Sequence, residues 1–164
     1  MELLIRKANP QDADDISALW TIICSERIYT AVNKPFTPQQ EKEYITSLSD
    51  REGIFLAEKQ DRIIGFQTLD KWARFTDSFN HVGTIGTFVH PEWRGKKIGR
   101  KLADYTFNFA RKNNYEKLVI YIRANNTIAI KFYRKMGFIE KGTLSRQVKI
   151  DNQYEDEIFM EMFL

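Results

Sequence analysis

The stretch Val89-His90-Pro91-Glu92-Trp93-Arg94-Gly95-Lys96-Lys97-Ile98-Gly99 decides how this chain is read. It joins a β-patterned segment, residues 81–90, to a segment with Ile98, Leu102, Tyr105 and Phe109 at helical spacing. A strand that passes into a helix this abruptly offers several backbone N–H groups near the positive end of the helix dipole, a ready anion site. Glycines at 95 and 99 let a phosphate approach the backbone, and Arg94, Lys96, Lys97, Arg100 and Lys101 surround it with positive charge. The competing reading is a basic, solvated helix start. A Walker loop is excluded, because the glycines are wrongly spaced and no Lys-Ser or Lys-Thr pair follows.

Working outward from that turn, residues 3–7 predict an opening strand. Asn9-Pro10 with Asp12 predicts a capped helix that carries Ile16, Leu19, Trp20 and Ile23 on one face. Thr37-Pro38-Gln39-Gln40 has the capping-box pattern and opens a helix to about Leu48. Residues 54–58 and 62–74 predict antiparallel strands around the turn Lys59-Gln60-Asp61. Beyond the central turn, the unbroken apolar run Leu118-Val119-Ile120-Tyr121-Ile122 predicts a strand covered on both faces. A helix over residues 127–136 is ended by Gly137, with Ile128, Ala129, Phe132 and Met136 as its packing stripe and Ile130 and Tyr133 beside it. Residues 138–148 and 154–163 predict a closing hairpin around Asp151-Asn152. The order is strand, two helices, three strands, helix, strand, helix, two strands. It implies an α/β fold, a mixed sheet with helices on both faces, in one domain over residues 1–164.

Composition narrows the function classes. The 164 residues are 43% hydrophobic and 29% charged, a globular balance, and the 13% aromatic content supplies bulk for a core and a lined pocket. A net charge of +3 is too mild for a nucleic-acid binder. Cys24 is the only cysteine, so no intramolecular disulfide can form; its apolar neighbours predict a buried thiol. One cysteine and two histidines do not make a zinc site, and no metal is expected. No apolar stretch approaches the length of a membrane span, and the expected location is the cytoplasm.

A second segment carries chemistry: Asn126-Thr127-Ile128-Ala129-Ile130-Lys131-Phe132-Tyr133-Arg134-Lys135-Met136-Gly137-Phe138. Read alone, Asn126 is a helix cap and Tyr133 is either a core-edge tyrosine or a group at the rim of a cleft. In this order and at this separation, the two segments resemble the GNAT superfamily of acetyl-CoA-dependent N-acetyltransferases. The phosphate motif of that family, Arg/Gln-x-x-Gly-x-Gly/Ala, is similar to residues 94–99, except that Lys97 stands where its first glycine is expected. The later motif is matched at Asn126, Ala129, Phe132, Tyr133, Gly137 and Phe138. The tail Tyr154-Glu155-Asp156-Glu157-Ile158-Phe159-Met160 resembles the close of the branch that acetylates amino acids and protein N-termini.

The resemblance implies a mostly antiparallel sheet of about seven strands flanked by four helices, splayed between the fourth and fifth strands. The pantetheine arm of acetyl-CoA would enter that gap, bound by backbone groups of Thr87, Phe88 and Val89. Arg94, Gly95, Lys96, Lys97, Ile98, Gly99 and Arg100 would hold the pyrophosphate, and Asn126 would contact the arm. Tyr133 stands at the family's position for the general acid, and a backbone N–H near Phe88 and Val89 would stabilise the thioester oxygen. The base is open: relatives often carry a glutamate on the fourth strand, and residues 81–87 here contain no carboxylate. Glu26, His81 and a chain of waters are the alternatives, Glu26 also as an amine-binding group. The implied partner is an amine acceptor: a small molecule, an amino acid or a peptide N-terminus. The rival reading is a non-catalytic acyl-CoA-binding module. The acceptor pocket is expected from residues 26–36, from residues 71–80 with Trp72, Phe75 and Phe79, and from the closing hairpin. Aromatic surface beside an exposed edge strand would also suit a homodimer.

Overall fold

The computed structural model describes residues 2–164. The strands are β1 (Leu4–Lys7), β2 (Gly53–Lys59), β3 (Arg62–Lys71), β4 (Val82–Val89), β5 (Lys117–Arg123), β6 (Ile139–Ile150) and β7 (Gln153–Phe163). The helices are α1 (Ala13–Ser25), α2 (Pro38–Ser47), α3 (Ile98–Lys112) and α4 (Thr127–Met136). The seven strands form one sheet in the order β1-β2-β3-β4-β5-β7-β6. Every neighbouring pair is antiparallel except β4 and β5. The element order and the mixed α/β class are those expected from the sequence.

Local chemistry explains the boundaries. Asn9 and Asp12 form a reciprocal capping box, but it closes a short 3-10 turn, Pro10–Asp12, from which α1 then continues. Thr37 and Gln40 cap α2 in the same way. β3 ends at Lys71, three residues earlier than its pattern predicts. Trp72 makes a last backbone bond to Val82, and the Arg74 guanidinium turns to Glu52 instead of extending the ladder. α4 stops at Gly137, whose φ of +105° suits a residue without a side chain. At the closing hairpin, Asp151 and Asn152 both have positive φ, as a two-residue primed turn requires.

Alternation along the strands divides the core in two. On one face Phe55, Leu69, Ile85, Leu118, Ile120 and Met160 pack under α3 and α4. On the other, Leu56, Phe66 and Ile54 meet Ile16, Leu19, Trp20 and Ile23 of α1 and Ile45 of α2. Each fully buried Leu, Ile or Phe contributes about 1.5–3 kcal/mol, so both helix pairs are held to the sheet by side chains rather than by their loops. The buried face of α3 is Ile98, Leu102, Ala103, Thr106, Phe107 and Ala110. Tyr105, expected in the packing stripe, is turned to the rim, where it touches only the edge of Phe55. Cys24 lies in the α1 core, and burial raises its thiol pKa. No helix among the described residues is long and apolar enough to cross a membrane.

Candidate active site at the strand fork

The β4–β5 ladder lasts three residues: Val82 opposite Lys117, Gly83 opposite Leu118 and Thr84 opposite Val119. Past Thr84 the strands separate, while β3 stays paired with β4 as far as Val89. The fork opens into a cleft of about 510 Å³ between the end of β4, the start of α3 and one side of α4.

Strand alternation fixes which backbone groups reach the cleft. His90 donates to Ile64 and Val82 accepts from Trp72, so the even-numbered residues of β4 direct their backbone groups to β3. Phe88 shares that parity, and its ring lies on the α1 face against Trp20 and Phe66. The Phe88 backbone is therefore turned to β3, although Phe88 is among the residues that line the cleft. Thr87 and Val89 face the gap, although the Val89 carbonyl already accepts from Arg94 Nε at 3.0 Å.

The turn before α3 is built for close approach. Gly95 has φ +74°, and a Cβ there would meet nothing within 4 Å. Lys97, the helix N-cap, is itself left-handed, with φ 62° and ψ 14°. That accounts for the glycine the motif expects at this position: the backbone, not the side chain, sets the requirement. Lys101 N–H is bonded to the Lys97 carbonyl at 3.1 Å, so Ile98, Gly99 and Arg100 are the helix's leading, unladdered donors. Lys97, Gly99 and Arg100 line the cleft. Lys96 instead lays its ammonium over the Trp93 ring, 4.7 Å from the centroid.

Arg94 borders the cleft with its charge already engaged. Its guanidinium grips Glu26 at 2.8 and 2.6 Å and lies over the Tyr29 ring. It thus bolts the end of α1 to the end of β4. Glu26 is correspondingly tied down, and His81 lies outside the cleft, where its carbonyl accepts from Glu116 and Lys117. No local pattern marks this Arg94–Glu26 pair, whose partners are 68 residues apart.

Asn126 caps α4 through a bond from Ala129 N–H at 3.1 Å and reaches the Tyr29 carbonyl with its amide, at 3.4 Å. Ile130 and Tyr133 are the buried residues of α4. Of the predicted packing stripe, Ala129, Phe132 and Met136 lie partly buried against the core, while Ile128, Ala129 and Phe132 also line the cleft, and Ile128 is 72% exposed. The stripe thus serves both the core and the open cleft.

Tyr133 is 3% exposed, and its hydroxyl lies 2.5 Å from Thr87 Oγ1. Burial raises its pKa well above the ordinary phenol value, partly offset by hydrogen bonds from Thr87. Thr87 in turn accepts from Gln67 Nε2 at 2.6 Å. Gln67 is fully buried on β3 directly opposite Thr87. Its only trace in the sequence is a lone amide within an apolar strand.

A family model described as Acetyltransferase (GNAT) family matches residues 18–138. The chain belongs to the GNAT acetyltransferase family. The L-amino acid N-acyltransferase MnaT of Escherichia coli is 24% identical over 111 residues, which cover 68% of this chain and 64% of that protein. The structure of a ribosomal-protein-alanine N-acetyltransferase from Brucella melitensis superposes with a TM-score of 0.91 at 23% identity, over 98% of this chain and 99% of that one. A phosphinothricin acetyltransferase from Sinorhizobium meliloti, solved in complex with acetyl-CoA, gives 0.90 at 17% identity, over 100% and 89%. At these identities the structural likeness establishes the GNAT fold, including its fork between β4 and β5.

Proposed function

We propose that this chain transfers the acetyl group of acetyl-CoA to a primary amine by direct attack, with Tyr133 as general acid. The observation that carries this reading is the Tyr133 hydroxyl, buried at the cleft wall and hydrogen-bonded to Thr87. In this reading the Gly95 concavity and the leading N–H groups of α3 receive the pyrophosphate. Thr87 and Val89 bind the arm along the open edge of β4, as an added strand would be bound. Their N–H groups stabilise the oxyanion as the amine attacks the thioester carbon.

Thr87 Oγ1 accepts from Gln67, either hydroxyl could donate in the Thr87–Tyr133 bond, and in this reading Thr87 gives its proton to Tyr133 Oη. The phenolic proton stays free for the departing thiolate sulfur. A phenol whose pKa burial has raised remains neutral throughout the working range, so it donates rather than accepts. Glu26 is held by Arg94 and His81 is outside the cleft, so we assign the ammonium proton to water. The acceptor classes are a small amine, an amino acid or a peptide N-terminus, and the cytoplasm is the corresponding location.

Incubation with acetyl-CoA and a panel of amines, followed by thiol release, tests the activity. Tyr133→Phe should lower kcat by about 100-fold or more and leave coenzyme A affinity nearly unchanged. Tight coenzyme A binding without turnover of any amine would favour the non-catalytic acyl-CoA-binding module.

A further inference from the structure

Tyr133 closes the fork on its α3–α4 face. The opposite face is floored by different residues. Tyr121 lies two residues past the last β4–β5 pair, and alternation turns it away from Ile120 and Ile122, which belong to the α3 core. Phe159 is its cross-strand partner on β7, with ring centroids 5.1 Å apart. Trp72, leaving the end of β3, stacks on Tyr121 at 5.7 Å and 18°. Three rings from three strands thus form one wall over the mouth of the fork, and Trp72 remains 36% exposed.

Glu157 stands beside this wall. It shares the β7 face of Phe159, and its charge acts on the Tyr121 hydroxyl. Only 8% of it is exposed, yet among the described residues its carboxylate has neither a hydrogen-bond donor nor an ion-pair partner. Its cross-strand neighbour Arg123 is already committed. That guanidinium grips Glu155, at 2.6 Å from Nε, and donates to the carbonyls of Arg27 and Thr30 at 2.7 and 3.1 Å. The neighbouring acidic groups of the sheet and its loops are matched as well. Glu161 is paired with Lys117, Glu52 with Arg74, and Asp70 accepts from Tyr44. Burial pushes the Glu157 carboxyl pKa up, and the nearby Arg123 charge offsets this only in part.

A buried carboxylate without a donor is costly unless something brings it a positive charge. Aromatic faces beside it favour a cation as well. We propose that Glu157, with the wall of Trp72, Tyr121 and Phe159, is the subsite that receives the ammonium of the acceptor. The preferred acceptors are then amines without an adjacent carboxylate, because a zwitterionic amino acid would bring a second negative charge against Glu157 itself. This rests on the acetyltransferase reading and narrows its acceptor.

The test compares 1,4-diaminobutane, phenethylamine and alanine as acceptors for the wild type, Glu157→Gln and Trp72→Ala, following thiol release. The two amines should exceed alanine at least tenfold in kcat/KM. Glu157→Gln should raise the KM for 1,4-diaminobutane at least tenfold, leaving the KM for acetyl-CoA within twofold and the melting temperature no lower. Trp72→Ala should raise the amine KM severalfold. An unchanged amine KM in Glu157→Gln, or alanine performing as well as the amines, overturns the proposal while leaving the acetyltransferase reading intact. If the wild type turns over no amine, the acetyltransferase reading fails separately. Calorimetric titration of 1,4-diaminobutane then decides the subsite: binding lost in Glu157→Gln supports it, and equal or absent binding to the wild type overturns it.

Discussion

The two faces of the fork are made of different materials. On the α3 side the proposed anion cradle consists of backbone: Gly95 with positive φ, left-handed Lys97 and the leading N–H groups of the helix. On the α1–α2 side the surface consists of side chains drawn from β3, β5 and β7, where most carboxylates are matched and Glu157, like Glu41 on α2, is left over. A backbone site tolerates changes in side chains provided the dihedral angles survive. A side-chain site tolerates little, because removing one partner leaves another buried and unpaired.

The largest effect should therefore come from the side-chain face. Glu41 on α2 is 3% exposed, and its Oε2 has no hydrogen-bond partner among the described residues. Burial lifts its pKa from 4.5 to about 7. Between those values the folded chain holds a proton that the unfolded chain has released, so this group's contribution to stability falls as pH rises. Below 4.5 both states are protonated and the effect vanishes; above about 7 it is complete, at roughly 3 kcal/mol. Glu41→Gln should remove this dependence. Urea denaturation at pH 5 and pH 8 checks it: the variant should gain stability over the wild type mainly at pH 8. Equal gains at both values would show that the carboxyl does not titrate in the window.

That contrast also explains what was legible in the sequence. Segments governed by backbone geometry leave local marks. The cap at Asn9, the capping box at Thr37, the stop at Gly137 and the turn at Asp151-Asn152 were all readable, because each is a residue type at a fixed offset from a helix or strand end. The cradle before α3 belongs with them. Arg94–Glu26, Gln67–Thr87 and the Trp72–Tyr121–Phe159 wall join positions 68, 20 and at least 38 residues apart, and no spacing rule connects such residues. Ile128, Ala129 and Phe132 are an intermediate case. Their periodicity was visible, but an apolar stripe looks the same whether it faces a core or a ligand cleft.

A smaller effect is expected at Gly95. Alanine there must hold φ near +74°, at a cost of about 1 kcal/mol. Its methyl group would point into open space, so the fold should survive with a melting temperature lowered by only a few degrees. The same methyl group would stand between a phosphate and the backbone. Gly95→Ala should weaken coenzyme A binding about tenfold, measured by calorimetry. Undiminished affinity would mean that the pyrophosphate does not approach the turn at this residue.

The smallest effect, and the sharpest contrast, belongs to Lys97 two residues later. It is the one lysine with a left-handed backbone, so glycine at this position relieves strain where alanine at 95 introduces it. Relief at the turn is offset in part by the greater freedom of glycine in the unfolded chain, leaving a net change within about 1 kcal/mol. Coenzyme A affinity in Lys97→Gly should stay within twofold of the wild type, and its dependence on salt should decrease only slightly. Two substitutions in one turn would then move binding in unlike ways, tenfold and hardly at all, although the second removes a positive charge and the first does not. If Lys97→Gly instead costs tenfold in affinity, the ammonium is a ligand in its own right, and the cradle is made of side chain as well as backbone.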